Sequence, residues 1–347
     1  MLCILTASAR AQTLTQDTLI EITATWTQQP EGWTYPISID VPDEMPKGGF
    51  PVCILLHGAN NEPEGLMNSM REHLPNHVLV GPSGYLQHWN ICNEPSDAPD
   101  VEMIEELVNR LQTYENINPD AIRLIGSSNG AALANRVFIE NRNPGIDAVV
   151  TVISQLSEIQ FRNDSYRKPA DQPVEEGPFC GYLESTDPLT TRRYLNICNV
   201  NDGTIPYEGG YAAVSGISYL EARIAAYHVA RKKGFKGPPD LSDGNQLGDA
   251  NIWKYAYLND TVIHLRGFED HGWNPQMRAF TGTFLSTWPV ESNCTGDFDG
   301  DGEVGGADLA TLLSKWDSND TETDLDGNGI VEGADLAIIL GKWGLCR

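Results

Sequence analysis

A serine lies at the centre of the stretch Gly126–Gly130, whose sequence GSSNG fits the pattern G-x-S-x-G. The apolar run "AIRLI" precedes this stretch, and the alanine-rich helical pattern "AALANRV" follows it. Two glycines let a strand and a helix approach each other closely around a strained turn, which presents the central hydroxyl beyond the end of the strand. The pattern therefore predicts Ser128 as a nucleophile. The alternative is a glycine-serine turn that matches the pattern by coincidence.

A serine hydroxyl is a poor nucleophile at neutral pH unless a base accepts its proton and a third group orients that base. After a strand-to-helix turn of this kind, the chain order is serine, acid, histidine, each beyond the end of a strand. Asp202 follows the apolar run "RYLNICNV", and His271 follows "TVIHLRGF". We therefore predict Ser128, Asp202 and His271 as a catalytic triad. Asp187 is the rival acid, but it lies in an irregular segment before the strand.

Acyl transfer at a serine also needs N–H donors for the negative charge that develops on the substrate oxygen. The backbone N–H of Asn129, at the start of the helix, is one predicted donor because the helix dipole favours negative charge there. The second donor is expected in "HGAN", His57–Asn60, which follows the strand-like run "PVCILL". Ala59 is the preferred residue, so Ala59 and Asn129 form the predicted oxyanion hole.

The elements that must position these residues alternate between strands and helices. Strand-like runs ("PVCILLHG", "HVLVGP", "AIRLIGSS", "AVVTVIS", "RYLNICNV", "TVIHLRGF") are separated by amphipathic stretches such as Val101–Tyr114 and Ile217–Lys232. This alternation predicts an α/β fold with a mostly parallel sheet covered on both faces. "TLIEITATW" and "YPISIDVP" are predicted to open the chain as an antiparallel pair. The irregular segments Ile159–Thr190 and Gly234–Asp249 are interpreted as lids, binding walls or surface insertions.

Several of these stretches resemble one esterase family. "LLHGANN", "DVEMIEELVNRLQTYENINPDAIRLIGSSNGAALANRV", "VNDGTIPYEGG" and "DHGWN" look like the branch of the α/β-hydrolases that includes poly(3-hydroxybutyrate) depolymerase-like, feruloyl and acetylxylan esterases. The resemblance covers residues 35–288. It implies an eight-stranded, mostly parallel sheet, the same triad and no cofactor for catalysis. It also implies that Trp89 and Trp273 flank the substrate pocket.

A second motif occurs twice near the end of the sequence, starting at Asp297 ("DFDGDGEVGGADLATLLSKW") and at Asp324 ("DLDGNGIVEGADLAIILGKW"). Both copies place oxygen ligands at loop positions 1, 3, 5 and 12, glycine at position 6 and a backbone carbonyl at position 7, which is the pattern that binds calcium. We predict two structural Ca²⁺ ions; the alternative is an acidic disordered tail. The predicted ligands are Asp297, Asp299, Asp301, Glu303, Asp308, Asp324, Asp326, Asn328, Ile330 and Asp335.

The two copies together resemble type I dockerin, the module that docks secreted polysaccharide-degrading enzymes onto cohesin scaffolds. The resemblance implies a small all-α domain whose partner is a cohesin-like or cell-surface scaffold. From Cys294 to Arg347 there are 12 acidic and 3 basic residues, an excess of nine negative charges, so folding and metal binding are expected to be coupled. The apolar helical faces after the two loops, which include Trp316 and Trp343, are expected to pack on each other.

The cysteines indicate an oxidising compartment. Without Cys3, six remain, and an even number is compatible with disulfides in a secreted protein. Cys294 and Cys346 bracket the repeat, and we predict a disulfide between them. A Cys92–Cys180 bridge is a further hypothesis. The two other cysteines, Cys53 and Cys198, lie in apolar runs and are predicted to be buried thiols.

Length and charge limit the remaining possibilities. With 347 residues and 40% hydrophobic content, the chain is long enough for one large domain and a smaller unit. A net charge of −25 argues against nucleic acid or an anionic membrane surface as a partner. No apolar run approaches the roughly 18 residues that a membrane span requires.

The predicted domain organisation has four parts. "MLCILTASARAQ" ends like a signal peptide, and we interpret residues 1–11 as a signal-peptide remnant, an ordinary frayed N-terminus being the alternative. Residues 12–288 form the predicted hydrolase domain, 289–293 a linker, and 294–347 the calcium-binding domain. The expected location is extracellular or at the cell surface.

The leading functional hypothesis is a secreted serine esterase that cleaves feruloyl or acetyl esters on a polysaccharide through an acyl-Ser128 intermediate. Polysaccharide esters are preferred because the repeat resembles a module found on polysaccharide-degrading enzymes. The alternatives are a polyhydroxyalkanoate or polyester depolymerase, a catalytically inactive binding or scaffold protein, and a peptidase with the same triad.

Overall fold

The structure is a computed structural model that describes residues 12–170, 178–286, 295–298 and 303–345. The predicted signal-peptide remnant, the predicted linker and both cysteines of the predicted Cys294–Cys346 disulfide lie outside the described residues. Within the described residues, no helix is long and apolar enough to cross a bilayer. The chain divides into two compact units, one made of Met1–Met45 and Gly49–Leu285, the other of Pro46–Gly48 and Ser286–Arg347.

Strands and helices alternate along most of the first unit. Its described helices are α1 Pro63–Arg71, α2 Asp100–Leu111, α3 Asn129–Glu140, α4 Ala222–Lys232 and α5 Pro275–Ser286, with short 3₁₀ turns at Tyr85–Gln87 and Pro178–Gly181. Its described strands are β1 Thr23–Trp26, β2 Gln29–Thr34, β3 Ile37–Asp40, β4 Phe50–Leu56, β5 Val78–Pro82, β6 Ile117–Ser127, β7 Ile146–Val152, β8 Phe161–Arg162, β9 Ser165–Lys168, β10 Glu184–Thr186, β11 Arg193–Asn199, β12 Gly210–Ala212, β13 Ile217–Tyr219, β14 Asn245–Gln246, β15 Trp253–Tyr257 and β16 Val262–Gly267.

The main sheet of the first unit has nine strands in the order β14-β15-β16-β11-β7-β6-β4-β5-β3. The six strands from β16 to β5 run parallel, whereas β3 at one edge and β15 and β14 at the other are antiparallel to their neighbours. The mostly parallel α/β arrangement predicted from the sequence is confirmed. The expected number of eight strands was wrong, because the two-residue strand β14 extends one edge.

Both faces of this sheet are covered, as the near-continuous apolar strands predict. Alternate residues of β4 belong to two separate cores, Ile54 to one and Leu55 to the other, because successive side chains of a strand point to opposite faces. The first core contains buried residues of α2, α3 and α4, and the second contains those of α1 and α5. The sheet therefore lies between two layers of helices.

The predicted opening pair was wrong. β1 pairs antiparallel with β2 across a two-residue turn, and Trp26 lies opposite Gln29. The rings of Trp26 and Trp33 contact each other edge to face, with 6.3 Å between their centroids. This contact joins the two strands through their side chains. β3, whose sequence is "ISID", instead pairs antiparallel with β5 at the edge of the main sheet.

Two other segments differ from their predicted form. Ile217–Lys232 is not one amphipathic helix, because its first residues form β13 with alternating burial and only the remainder forms α4. The segment Ile159–Thr190 contains the three-stranded antiparallel sheet β10-β9-β8. A disulfide joins Cys92 to Cys180, with 5.3 Å between their Cα atoms, which confirms that pairing. The prediction of buried thiols at Cys53 and Cys198 is also confirmed.

The second unit contains α6 Gly306–Ser314 and α7 Gly333–Gly341, together with the short antiparallel pair β17 Glu303–Val304 and β18 Gly344–Leu345. Among its described residues, the buried core consists of equivalent positions of the two repeats: Val304 with Val331, and Leu312 with Ile339. The two helical faces pack on each other through Leu312 and Ile339, as predicted, but the tryptophans expected in these faces lie outside that core, since Trp316 is 41% and Trp343 is 49% exposed. Both helices end before these tryptophans, which therefore leave the buried helical stripe.

Candidate active site

Ser128 lies at the turn between β6 and α3, where the G-x-S-x-G pattern predicts it. Its φ of 53° and ψ of −116° are strained for a residue with a side chain. The Ser128 N–H donates to the carbonyl of Val152 at 2.9 Å, and the Ser128 carbonyl accepts from Ala131 at 2.9 Å. These bonds to β7 and to the first turn of α3 hold the strained conformation in place.

The glycines of the turn are required by close backbone packing. A Cβ atom on Gly126 would lie 2.1 Å from the carbonyl oxygen of Gly130. A Cβ atom on Gly130 would lie 2.1 Å from the carbonyl oxygen of Leu56 in the neighbouring strand. The obstructing atoms belong to the backbone and cannot move away cheaply, so both positions exclude a side chain.

The three predicted triad residues form one hydrogen-bonded chain. Ser128 Oγ lies 2.9 Å from His271 Nε2, and His271 Nδ1 lies 2.8 Å from Asp202 Oδ2 and 3.0 Å from Asp202 Oδ1. Because a carboxylate only accepts, Nδ1 is the protonated nitrogen of the imidazole. Nε2 therefore faces the serine hydroxyl as an acceptor, which is the arrangement that a general base requires.

The Asp202 carboxylate is held rigidly. Its Oδ1 accepts the backbone N–H groups of Thr204 at 2.8 Å and Ile205 at 3.0 Å. The side chain is only 2% exposed, compared with 23% for His271. The rival acid Asp187 is 80% exposed and forms an ion pair with Lys232, so it does not contact His271.

His57, for which the sequence predicts no catalytic role, fixes the loop that carries Ala59. His57 Nδ1 donates to the carbonyl of Gly58 at 2.8 Å, and His57 Nε2 accepts the N–H of Gly84 at 3.0 Å. Burial lowers the pKa of His57, which favours the neutral form that this donor–acceptor pair requires. Ala59 and Asn129, the predicted oxyanion-hole residues, line one cavity together with Ser128.

Trp89 does not line the cavities at Ser128, contrary to the role that the resemblance implied. The Trp89 side chain is completely buried, and its Nε1 donates to the carbonyl of His57 at 2.8 Å. The centroids of the Trp89 and His57 rings lie 4.8 Å apart. The Asn129 side chain accepts from the Trp89 N–H at 2.7 Å and donates to its carbonyl at 3.1 Å. Trp89 therefore links the loop before Ala59 to the helix that begins at Asn129.

Two cavities meet at Ser128. The larger, of about 490 Å³, is lined by His271 and by Trp273, the second tryptophan that the resemblance placed at the pocket. The smaller, of about 240 Å³, is lined by Glu94 and Tyr219 and does not include His271. The nucleophile thus has open space on two sides, and the histidine borders only one of them.

The second acidic repeat brings three of its predicted ligands together. Carboxylate oxygens of Asp324, Asp326 and Asp335 lie within 4.8 Å of one another. Three hard oxygen donors at this separation suit Ca²⁺ chemically. Asn328 lies in the same loop, and its backbone N–H donates to Asp324 and Asp326.

The first repeat closes its loop in the same manner, as far as the structure describes it. Asp308 Oδ1 accepts the N–H of Phe298 at 2.6 Å, and Asp335 Oδ1 accepts the N–H of the equivalent Leu325 at 2.7 Å. The predicted ligands Asp299 and Asp301 lie outside the described residues. For Glu303 and Ile330 the predicted ligand is the backbone carbonyl, and both residues are present in the described backbone.

The sequence matches no known protein family and no curated protein. Among solved structures, the chain is similar to a carboxylesterase from Bacillus cereus (11% identity, TM-score 0.46, 72% of this chain and 93% of that chain). It is similar to an acetyl xylan esterase from Aspergillus awamori at 13% identity and a TM-score of 0.46, with the same two coverages. A carboxylesterase from Mesorhizobium loti matches at 15% identity and a TM-score of 0.44, over 76% of this chain and 99% of that chain.

Proposed function

We propose that the protein is a serine esterase of the α/β-hydrolase type, with Ser128 as nucleophile. The observation that carries this proposal is the hydrogen-bonded chain from Ser128 Oγ through His271 to Asp202. A hydroxyl, an imidazole and a buried carboxylate in this order form the arrangement that activates a serine for acyl transfer.

Each residue has a distinct task in the proposed reaction. His271 Nε2 accepts the hydroxyl proton as Ser128 Oγ attacks the ester carbonyl, and Asp202 stabilises the imidazolium that forms. The backbone N–H groups of Ala59 and Asn129 stabilise the tetrahedral oxyanion. His271 then protonates the leaving alcohol, and a water activated by the same imidazole releases the acid from acyl-Ser128.

The position of His271 indicates which cavity holds the alcohol part of the ester and which holds the acyl part. The leaving alcohol must lie next to Nε2, which donates the proton to it, so the alcohol occupies the larger cavity beside His271 and Trp273. The acyl group then occupies the smaller cavity beside Glu94 and Tyr219. A volume of about 490 Å³ on the alcohol side suits a sugar unit of a polymer better than a small alcohol.

The proposed substrates are feruloyl or acetyl esters of a polysaccharide. The spacious alcohol cavity and the resemblance of the acidic repeat to a module of polysaccharide-degrading enzymes support this choice. Side-by-side assays of feruloylated and acetylated polysaccharides and of hydroxybutyrate oligomers separate it from the polyester alternative, which requires the oligomers to be the best substrate.

We further propose a secreted protein whose repeat binds two Ca²⁺ ions as a structural cofactor and docks to a cohesin-like or cell-surface scaffold. The Cys92–Cys180 disulfide supports an oxidising compartment. The clustered carboxylates of Asp324, Asp326 and Asp335 support the calcium site of the second loop. The proposed reaction uses side chains and backbone N–H groups of the first unit alone, so no calcium ion is proposed for the chemical step.

The experiment that tests the esterase proposal replaces the nucleophile. Ser128→Ala is expected to lower the kcat of p-nitrophenyl acetate hydrolysis by at least about 10³-fold and to abolish covalent labelling by a fluorophosphonate probe. Ser242→Ala, in an irregular segment, serves as the control and is expected to keep both reactions. A wild-type protein that neither hydrolyses the ester nor reacts with the probe contradicts the proposal and favours the inactive binding protein.

A further inference from the structure

The side chain of Asn199 binds the backbone on both sides of His271. Asn199 is the last residue of β11 and is completely buried. Its Nδ2 donates to the carbonyl of Asp270 at 3.1 Å and to the carbonyl of Gly272 at 2.6 Å. One amide nitrogen therefore binds a backbone carbonyl of the residue before His271 and of the residue after it.

The sheet provides the space for this contact. β11 and β16 run parallel, and Asn199 lies opposite Gly267 in their register. A Cβ atom on Gly267 would lie 2.3 Å from Asn199 Oδ1, so the absence of a side chain at Gly267 accommodates the amide. The Val200 N–H also donates to the carbonyl of Gly267 at 2.9 Å, which keeps the two strand ends together.

Only a primary amide of this size can make both hydrogen bonds. The Asn Nδ2 group carries two N–H donors, whereas a carboxylate of the same shape offers acceptors alone and an alanine offers neither. The residues between β16 and α5 form no helix or strand. The Asp270 carbonyl also accepts the Gly272 N–H at 2.8 Å, but this bond lies within the loop, whereas the Asn199 amide ties the loop to β11. Loss of the amide leaves Asp270 and Gly272 without these donors.

We propose that Asn199 is a positioning residue that holds His271 within hydrogen-bond distance of both Ser128 and Asp202. Asp202 follows Asn199 by three residues. The catalytic acid and the amide that binds the loop of His271 therefore belong to the same short segment at the end of β11. The relative placement of His271 Nδ1 and the Asp202 carboxylate is thereby set by a single strand end. This inference rests on the proposed esterase function.

Two substitutions test the role of the amide. Asn199→Asp keeps the shape and therefore the packing against Gly267, and Asn199→Ala removes the side chain. Both are expected to lower the kcat of p-nitrophenyl acetate hydrolysis by about 10- to 100-fold, because small displacements of a catalytic group are costly. KM is expected to stay within about 2-fold, because the residue does not contact substrate in the proposed cavities.

Labelling by a fluorophosphonate separates misplacement of His271 from loss of folded protein. A positioning role predicts full labelling stoichiometry at a rate that falls in parallel with kcat. The matched control is Asn201→Ala, because Asn201 Nδ2 donates at 2.6 Å to Phe268 in the same loop but does not flank His271. This control is expected to keep kcat within about 3-fold of wild type.

The outcomes distinguish the two proposals. If wild-type protein hydrolyses the ester but Asn199→Asp and Asn199→Ala retain its kcat, the positioning role is wrong and the esterase function stands. An equal loss in Asn201→Ala likewise overturns the positioning role in favour of general support of the loop. If wild-type protein shows neither hydrolysis nor labelling, the proposed function fails, and the role of Asn199 fails with it.

Discussion

The orientation of His271 depends on a carboxylate that is almost completely shielded from water. In Asp202→Asn the amide presents a donor where the imidazole Nδ1–H needs an acceptor, which favours the wrong imidazole tautomer. The equivalent change in a serine protease lowers kcat by about 10⁴-fold, and we expect a loss of about 10³- to 10⁴-fold here, measured on p-nitrophenyl acetate.

Asp187→Asn is the matched control, because Asp187 is the rival acid in the sequence and is highly exposed in the structure. It is expected to leave kcat within about 2-fold, since exposed ion pairs contribute little. The assignment of the acid is wrong if the Asp187 variant loses activity while the Asp202 variant keeps it.

The roles of some single residues could be predicted from the sequence, and the roles of others could not. Ser128 was identifiable because a local pattern of glycines between a strand and a helix has few other uses, and the order of the chain pointed to Asp202 and His271. The supporting contacts of Asn199 and Trp89 join positions about 70 and 40 residues apart and leave no local pattern. Their roles therefore emerge only once the strands are aligned in the sheet.

The turn from β6 into α3 depends on contact between backbones. A methyl group at Gly130 collides with the carbonyl of Leu56, and neither the strand nor the helix can shift without breaking its own hydrogen bonds. We expect Gly130→Ala to lower the free energy of unfolding by about 3 kcal/mol or more, measured by urea denaturation.

Gly203→Ala is the comparison for this substitution, because no atom lies within 4 Å of a Cβ at Gly203, which belongs to the loop after β11. We expect a change within about 0.5 kcal/mol there. Equal losses at the two glycines would show that the collision with Leu56 is not the cause, since the entropy of the unfolded chain alone favours alanine over glycine.

Whole strands and helices were predictable where burial is continuous. The central parallel strands are apolar over five to seven residues because helices cover both faces of the sheet, and such runs stand out in the sequence. The opening of the chain is different, since β1 finds its partner across a turn and that choice depends on contacts between tryptophans. A two-residue strand such as β14 has no periodicity to detect.

The molecule contains two kinds of core. The first unit buries large apolar layers on both faces of a sheet, whereas the described core of the second unit has four buried residues. A core of that size contributes little stability by itself, and the unit also carries a large excess of negative charge. We therefore expect the second unit to depend on bound cations for its folding, while the first does not.

Calorimetry of the full chain tests this dependence. Calcium is expected to raise the melting temperature of one transition, and EDTA to lower it, because a ligand that binds only the folded state stabilises it, by about 2.7 kcal/mol at 100 times its Kd. Asp326→Asn is expected to weaken this response, because it removes a charge at a predicted ligand.

Asp317→Asn is the matched control for this substitution. It removes a charge in the same unit outside the predicted ligands, and asparagine tolerates the positive φ of 60° there, so the response to calcium should persist. The kcat for p-nitrophenyl acetate at 25 °C should be the same in calcium and in EDTA. A transition that is insensitive to calcium in the wild-type protein contradicts the proposed metal site, and a fall of kcat in EDTA contradicts a chemical step that needs no metal.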